Sequence, residues 1–397
     1  MDLFDKCRAF TSAREAMTAG IYPYFAPFEN SDATTARLDG REIVMAGSNN
    51  YLGLTKDPRV LDAARAALQE SGTSCTGSRL LNGNLRLHEE LEAELADLLG
   101  KPAALVFSTG YGANVGTISA LMTRGDTVVL DREAHASAID GAQMTLGRVR
   151  FFAHNDVDDL RRKLVLAGRD GGGVLVVVDG VYSMGGDVCP LPEIVAACRQ
   201  HGATLLVDDA HGVGVLGQGR GTCAQLGLTD EVDLITITFS KSFASIGGAV
   251  LGDADVIHYL RHHARAEIFS ASLSPANTAA ALAAVRVARA EPWRGRRAME
   301  NAAYVAAALA DLGLPVGTSD SPIIPVHTGE ALRTAFLWRR LMDLGVYTNA
   351  VLPPAASPRL RASFMATHTR DHLDRVVAAF RTMAGEGLVD GRTGTAA

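Results

Sequence analysis

No apolar run in this chain approaches the roughly 20 residues that a bilayer-crossing helix needs. The longest strand-like run, Val174 to Val178, is stopped at once by Asp179. No N-terminal stretch shows the basic, apolar, small-residue order of a secretory signal. Positive charge is not in excess. The 38 Lys and Arg stand against 44 Asp and Glu, a formal net charge of −6, which argues against a nucleic-acid or anionic-membrane partner. Cysteine is scarce, at five of 397 residues. Cys7, Cys75, Cys189, Cys198 and Cys223 are odd in number and widely spaced, with no C-x-x-C. That argues against a disulfide framework and a structural metal, and for a reducing, cytoplasmic setting. His262-His263 is the only adjacent histidine pair and reads as a solvated helix face. There is no internal repeat and no low-complexity linker.

What is present is a large apolar fraction. The chain is 47% hydrophobic and 21% charged, which suits a globular protein with one large domain and a smaller one. Helical spacing of apolar residues runs from about Arg59 to Leu68 and from His88 to Leu99. Short, uniformly apolar strands then alternate with helices: Ala104–Phe107, Thr127–Leu130, Val174–Val178, Thr204–Val207, Leu234–Ile237 and Ala249–Leu251. Such strands read as a mostly parallel sheet covered on both faces. A long Ala-rich helical stretch follows from Pro275 to about Leu312. The pattern then predicts a smaller α+β unit: strand Ile323–Val326, helix Leu332–Leu344, strand Leu360–Phe364 and a closing helix from Arg370 to about Ala384. The tail from Gly385 reads as frayed. We read residues 1–55 as an N-terminal segment, 56–285 as a large domain and 286–397 as a small C-terminal domain.

The chemistry concentrates where strands end. Lys241 sits in Thr238-Phe239-Ser240-Lys241-Ser242, followed by Gly247-Gly248. Upstream, a strand ends in Asp208-Asp209-Ala210-His211. In open α/β sheets, ligands bind at the carboxyl ends of strands. A lysine after an apolar strand, flanked by hydroxyls and glycines and preceded by Asp-x-Ala-His, is what a pyridoxal phosphate site needs. The amine forms a Schiff base with the cofactor aldehyde, and the aspartate keeps the ring nitrogen protonated. An isolated Ser-Lys-Ser would be a surface lysine; Asp208 and His211 change that reading. Gly110-Tyr111 follows a strand and opens a helix, so its N–H groups can hold a phosphate. An ordinary glycine turn fits those two residues as well.

Seven segments in order carry a resemblance to the α-oxoamine synthases, a pyridoxal-phosphate family of fold type I. They are Gly47–Leu54 (GSNNYLGL), Gly77–Gly83 (GSRLLNG) followed by His88, Phe107–Asn114 (FSTGYGAN), His135–Gly141 (HASAIDG), Val181–Asp187 (VYSMGGD), Asp208–His211 (DDAH) and Thr238–Lys241 (TFSK). The resemblance covers about Tyr22 to Ala384. The wording around Gly77–Gly83 and Val181–Asp187 is nearest to the bacterial soluble serine palmitoyltransferases. It implies an α/β fold: an aspartate-aminotransferase-like large domain with a mostly parallel central sheet, plus a smaller C-terminal α+β domain.

The resemblance also implies roles. Gly110, Tyr111, Thr238 and Ser240 hold the cofactor phosphate, with Ser270 reaching it from a second subunit, so that a homodimer shares its active sites. His135 stacks on the ring and assists the acyl step, Asp208 pairs with the ring nitrogen, and His211 and Ser183 face the phenolic oxygen. Arg361, with Asn50 and Tyr51, holds the amino acid. Lys241 anchors the cofactor and then removes the α-proton. The implied reaction joins a small amino acid (serine, alanine or glycine) to an acyl thioester on CoA or an acyl carrier protein, releasing CO2 and thiol and leaving an α-amino ketone. An aminotransferase, or an aldolase or lyase on the same fold, is the alternative. Two positions depart from the pattern. Asp209 stands where the family more often has Glu. Leu352 stands where bacterial serine palmitoyltransferases have an arginine before Pro-Pro.

Overall fold

The computed structural model describes residues 2–317 and 320–388. Of the tail read as frayed from Gly385, residues 389–397 lie outside the described residues, and Gly385 itself ends the helix Arg370–Gly385. A seven-stranded sheet organises the larger part of the molecule. Its order is Ala103–Phe107, Gly248–Gly252, Leu234–Thr238, Thr204–Asp208, Val174–Asp179, Thr127–Asp131 and Arg148–Phe152. Gly248–Gly252 runs antiparallel to both neighbours, and every other pairing is parallel.

Successive side chains of each strand point to opposite faces, and both faces are apolar. Val106, Val176, Val207 and Ile235 enter one core; Leu105, Leu175, Leu206 and Leu234 enter the other. Each such side chain contributes on the order of 1.5–3 kcal/mol when buried. A one-residue slip would exchange the two faces at every strand, but both are hydrophobic. Register is therefore fixed by packing shape and by the polar residues at the strand ends.

The edge strand Arg148–Phe152 is absent from the sequence reading. Arg148 and Arg150 interrupt its apolar pattern, because an edge strand is only half covered. The helical stretch after Pro275 is two helices, Pro275–Ala290 and Trp293–Asp311. Pro292 lacks the N–H that would continue the first.

The second core lies in the C-terminal part. A three-stranded antiparallel sheet, in the order Ile323–His327, Arg359–Ser363, Asn349–Val351, packs with helices Trp293–Asp311, Ala331–Asp343 and Arg370–Gly385. N-terminal strands join it: Arg41–Met45 runs parallel to Val346–Tyr347, and Ile43, Val44 and Met45 share a core with Val305, Leu341 and Phe380. Asn49 and Tyr51 follow Arg41–Met45 directly, so this pairing carries them to the strand that holds Arg361. Among the described residues, no helix is long and apolar enough to cross a membrane.

Candidate active site

The carboxyl ends of the central strands open onto a cavity of about 340 Å³, whose walls include Gly110, His135, Asp208, His211, Thr238 and Lys241. A larger cavity, about 860 Å³, lies at the opposite ends of the strands and contains none of these residues. Its one lysine, Lys101, is already bonded to the carbonyls of Thr229 and Val232 at 2.6 and 2.5 Å.

One end of the smaller cavity is built for an anion. Thr109 caps the helix Gly110–Leu121 by accepting from Gly112 N at 2.9 Å. Among the described residues, no acceptor is bonded to the N–H groups of Gly110 and Tyr111. Thr238 Oγ1 and Ser240 Oγ stand 2.8 Å apart at the same place. A Cβ on Gly110 would meet Thr238 Oγ1 at 2.6 Å, so only glycine lets the helix start this close to the strand. Free N–H groups at a helix start, with hydroxyls beside them, form a phosphate cradle.

Lys241 follows that strand. Among the described residues no carboxylate forms an ion pair with its amine. Burial lowers the amine to about 8, with Asp208 opposing and Arg361 adding to the fall. A lysine held near neutrality can act as nucleophile and base.

Asp208, 6% exposed, accepts from Ala210 N at 3.1 Å and from Asn114 Nδ2 at 2.6 Å. Asp179 lies opposite it on the next strand. Burial, and then the Asp208 charge, hold Asp179 well above the usual carboxylate range. Asp209 turns away from the cavity and accepts from Thr222 N at 2.8 Å and Thr222 Oγ1 at 2.6 Å. Burial lifts it to about 7 even against these bonds. Cβ atoms on Gly212 and Gly221 would sit 2.2 and 1.9 Å from its oxygens. The shorter acid fills this space, so the departure from the family pattern is accommodated by packing.

His211 is buried and neutral: burial first, then Lys241 and Arg361, push it well below its ordinary value. Tyr51 OH lies 2.7 Å from its Nδ1. The same hydroxyl donates to Asn49 Oδ1 at 3.2 Å. Tyr51 OH also accepts from Arg361 Nη2 at 3.3 Å. Arg361 is 3% exposed. Its guanidinium donates to Ser183 O at 2.5 Å, Ser363 Oγ at 2.7 Å and Asn49 Oδ1 at 3.0 Å. Every one of these acceptors is neutral, and among the described residues no carboxylate pairs with Arg361.

The structure brings Asn49 to Arg361, whereas Asn50 is spent on a turn: it accepts from Leu54 N at 3.0 Å and donates to Thr55 Oγ1 at 2.9 Å. Ser183 meets the site through its carbonyl. Ser270, next to the exposed Phe269, is not part of the cavity wall in this single chain. Asp187, to which the sequence assigned no role, bonds His154 Nε2 at 2.9 Å, while His154 Nδ1 bonds Asp131 at 3.0 Å. Although burial opposes it, these two carboxylates raise His154 to about 10. The loop from Val181 to Val188 is thereby tied to the central sheet. On its other side Arg359, Arg361 and Ser321 hold the carbonyls of Met184, Ser183 and Gly186. The sequence reading missed Asn49, Asn114, Ser137, Thr236 and His154. For Asn114 a signal existed: it lies four residues after Gly110, on the same helix face.

A near-neutral lysine, a buried carboxylate and a phosphate cradle at the strand ends of such a sheet fit pyridoxal phosphate. They define a fold-type I enzyme of that cofactor. The chain belongs to the class I and II aminotransferase family, which it matches over residues 41–380. Within it the chain is an α-oxoamine synthase, a pyridoxal-phosphate-dependent acyltransferase. It is 45% identical to a serine palmitoyltransferase of Sphingobacterium spiritivorum, over 98% of this chain and 99% of that one. It is 41% identical to the 8-amino-7-oxononanoate synthase of Geobacter sulfurreducens, over 93% and 96% of the two chains. The solved serine palmitoyltransferase of S. paucimobilis with a bound PLP–myriocin aldimine superimposes with a TM-score of 0.93 at 37% identity, covering 98% of this chain and 99% of that one.

Proposed function

We propose that this enzyme condenses a small amino acid (glycine, alanine or serine) with an acyl thioester, on CoA or an acyl carrier protein, to give an α-amino ketone, CO2 and free thiol. The observation that carries the reading is Arg361. A buried guanidinium is costly without an anion, and this one faces only neutral acceptors beside His211 and Tyr51. A substrate carboxylate would supply that anion, gripped through two parallel hydrogen bonds.

Bound pyridoxal phosphate supplies an aldehyde that captures amines and a ring that draws electrons from the substrate's α-carbon. Gly110, Tyr111, Thr238 and Ser240 would hold its phosphate, Asp208 its ring nitrogen, His211 its phenolic oxygen, and His135 one face of the ring. Lys241 would hold the cofactor's aldehyde and, as a free amine, would take the substrate's α-proton on Nζ. A base near pH 7 to 8 is matched to that task. The α-carbon then attacks the thioester carbonyl: a C–C bond forms, the C–S bond breaks and the thiol leaves. Loss of the carboxylate as CO2 leaves an electron pair on the α-carbon, and Lys241 returns a proton to it. Leu352 brings no second cation to the carboxylate, so Arg361, with Asn49 and Tyr51, would hold the amino acid.

A homodimer belongs to this reading. Leu81 and Phe269 are 79% and 73% exposed, on segments joined by the bond from Ser272 Oγ to Gly77 O at 3.1 Å. Exposed apolar groups side by side support an interface there, and Ser270 beside them would reach the neighbouring subunit's phosphate. The five free thiols support a cytoplasmic setting. A panel of amino acids against acyl-CoA and acyl-carrier thioesters, scored by thiol and CO2 release, tests the proposal. Turnover of a keto-acid acceptor without CO2 release would overturn it.

A further inference from the structure

Asn114 bonds to two groups that belong to different loops of the site. It is 3% exposed and makes three hydrogen bonds. Thr236 Oγ1 donates to its Oδ1 at 2.6 Å; its Nδ2 donates to Asp208 Oδ2 at 2.6 Å and to Ser137 Oγ at 2.9 Å. The amide orientation follows from these partners: the Thr236 hydroxyl donates to its oxygen, and oxygens of Asp208 and Ser137 face its nitrogen. Ser137 Oγ, already receiving an N–H from Asn114, turns its own proton to His135 Nδ1 at 2.7 Å. Ser137 N–H points at the same nitrogen at 3.3 Å. A nitrogen that receives two donors carries no proton, so the proton of the neutral ring is on Nε2.

We propose that Asn114 is a positioning residue that couples Asp208 to His135: one amide N–H aims the carboxylate, and the other, through the Ser137 hydroxyl, fixes His135 as its Nε2–H tautomer. The two groups act together because one amide plane, held by Thr236, serves both. His135 would therefore present an N–H donor, rather than a basic nitrogen, on the ring atom not bonded to Ser137. The value of this coupling to catalysis rests on the roles given above to Asp208 and His135; the tautomer does not.

The test uses ring ¹⁵N and ¹³C shifts of labelled histidine in the cofactor-free protein at neutral pH, with the His135 signal assigned by its loss in His135→Gln. Cofactor affinity is read separately by absorbance titration. The wild type should show His135 as Nε2–H. In Asn114→Asp the residue can no longer donate, so the Ser137 proton turns towards it. His135 should then lose its Nε2–H preference, and the cofactor Kd should rise about tenfold or more, as expected for one lost charge-assisted bond. Ser137→Ala leaves the bond to Asp208 in place. It should bring a measurable Nδ1–H population to His135 while the cofactor Kd stays within about threefold of wild type. An unchanged His135 tautomer in Ser137→Ala overturns the coupling, even if Asn114→Asp does not fold. Wild-type cofactor affinity in a folded Asn114→Asp overturns the aiming of Asp208. Wild-type protein that takes up no cofactor strikes the assigned function instead, and the tautomer arm still reads the coupling.

Discussion

Replacing Arg361 with Lys keeps the charge and removes the fork. The guanidinium holds Ser183 O, Ser363 Oγ, Asn49 Oδ1 and Tyr51 OH at 2.5, 2.7, 3.0 and 3.3 Å. The two longest bonds both leave from Nη2, the nitrogen a carboxylate would take over most cheaply. An ammonium cannot offer two parallel N–H groups to one carboxylate. Losing one charge-assisted bond costs about 1.5–3 kcal/mol, so the amino-acid KM should rise about 10- to 150-fold. The acyl-thioester KM should not move, and kcat should fall little, because Lys241 and Asp208 are untouched. Removing the charge with Arg361→Gln adds a second effect. Arg361 helps lower the Lys241 amine, which stands at about 8. Without that cation the amine's pKa rises, and the limb of the rate profile that needs neutral Lys241 moves to higher pH. Steady-state kinetics with each substrate varied, from about pH 6 to 10, reads both effects. Unchanged amino-acid KM in Arg361→Lys would remove the carboxylate role.

Lys241→Ala should abolish covalent capture of the cofactor and bring turnover to background; a borohydride-fixed adduct at the same site in that variant would refute the anchor. Mixing Ser270→Ala with Lys241→Ala subunits should restore one intact site per hybrid dimer, and activity no higher than the parents', with exchange shown by mass, would refute a shared site. His154 is raised from 6.5 to about 10 by Asp131 and Asp187 against the effect of burial. Its contribution is thus fully present below about pH 6.5 and lost as pH rises through about 10. The melting-temperature gap between wild type and His154→Leu should shrink between those limits, and a gap independent of pH would show that the pairing contributes no linkage.

Apolar runs make the central strands legible, since a doubly covered strand is apolar on both faces and needs no partner to be seen. The same logic hides Arg148–Phe152, whose exposed edge admits two arginines. It also hides Asn30–Ser31 and Val346–Tyr347, which are too short for any period. Asp208 is legible because it ends an apolar strand, and His211 and Lys241 because each lies just past a strand end. Asn49 and Asn50 are not separable in sequence. They are neighbours of one type, and only the turn that consumes the Asn50 amide decides which faces Arg361.

Polar pairing across the fold is the part that no spacing encodes. Asn114 and Asp208 are bonded at a sequence separation of 94, Tyr51 and His211 at 160, Asn49 and Arg361 at 312. Each bond exists because burial leaves a polar group only a few reachable partners, and an unmade bond there costs about 1–3 kcal/mol. Arg361 shows the same rule from its exception. Its neighbours satisfy its N–H groups but not its charge, and a buried cation paired only with neutral oxygens holds its place at a cost that an arriving carboxylate would remove. The Val181–Val188 loop is tied to the sheet through His154 and to the C-terminal strands through Arg359 and Arg361; a carboxylate arriving at Nη2 would compete with Asn49 Oδ1 and Tyr51 OH and leave the Nε bond to Ser183 O in place. The arginine that would read the substrate's charge is thus the same one that ties the C-terminal strands to this loop of the central sheet.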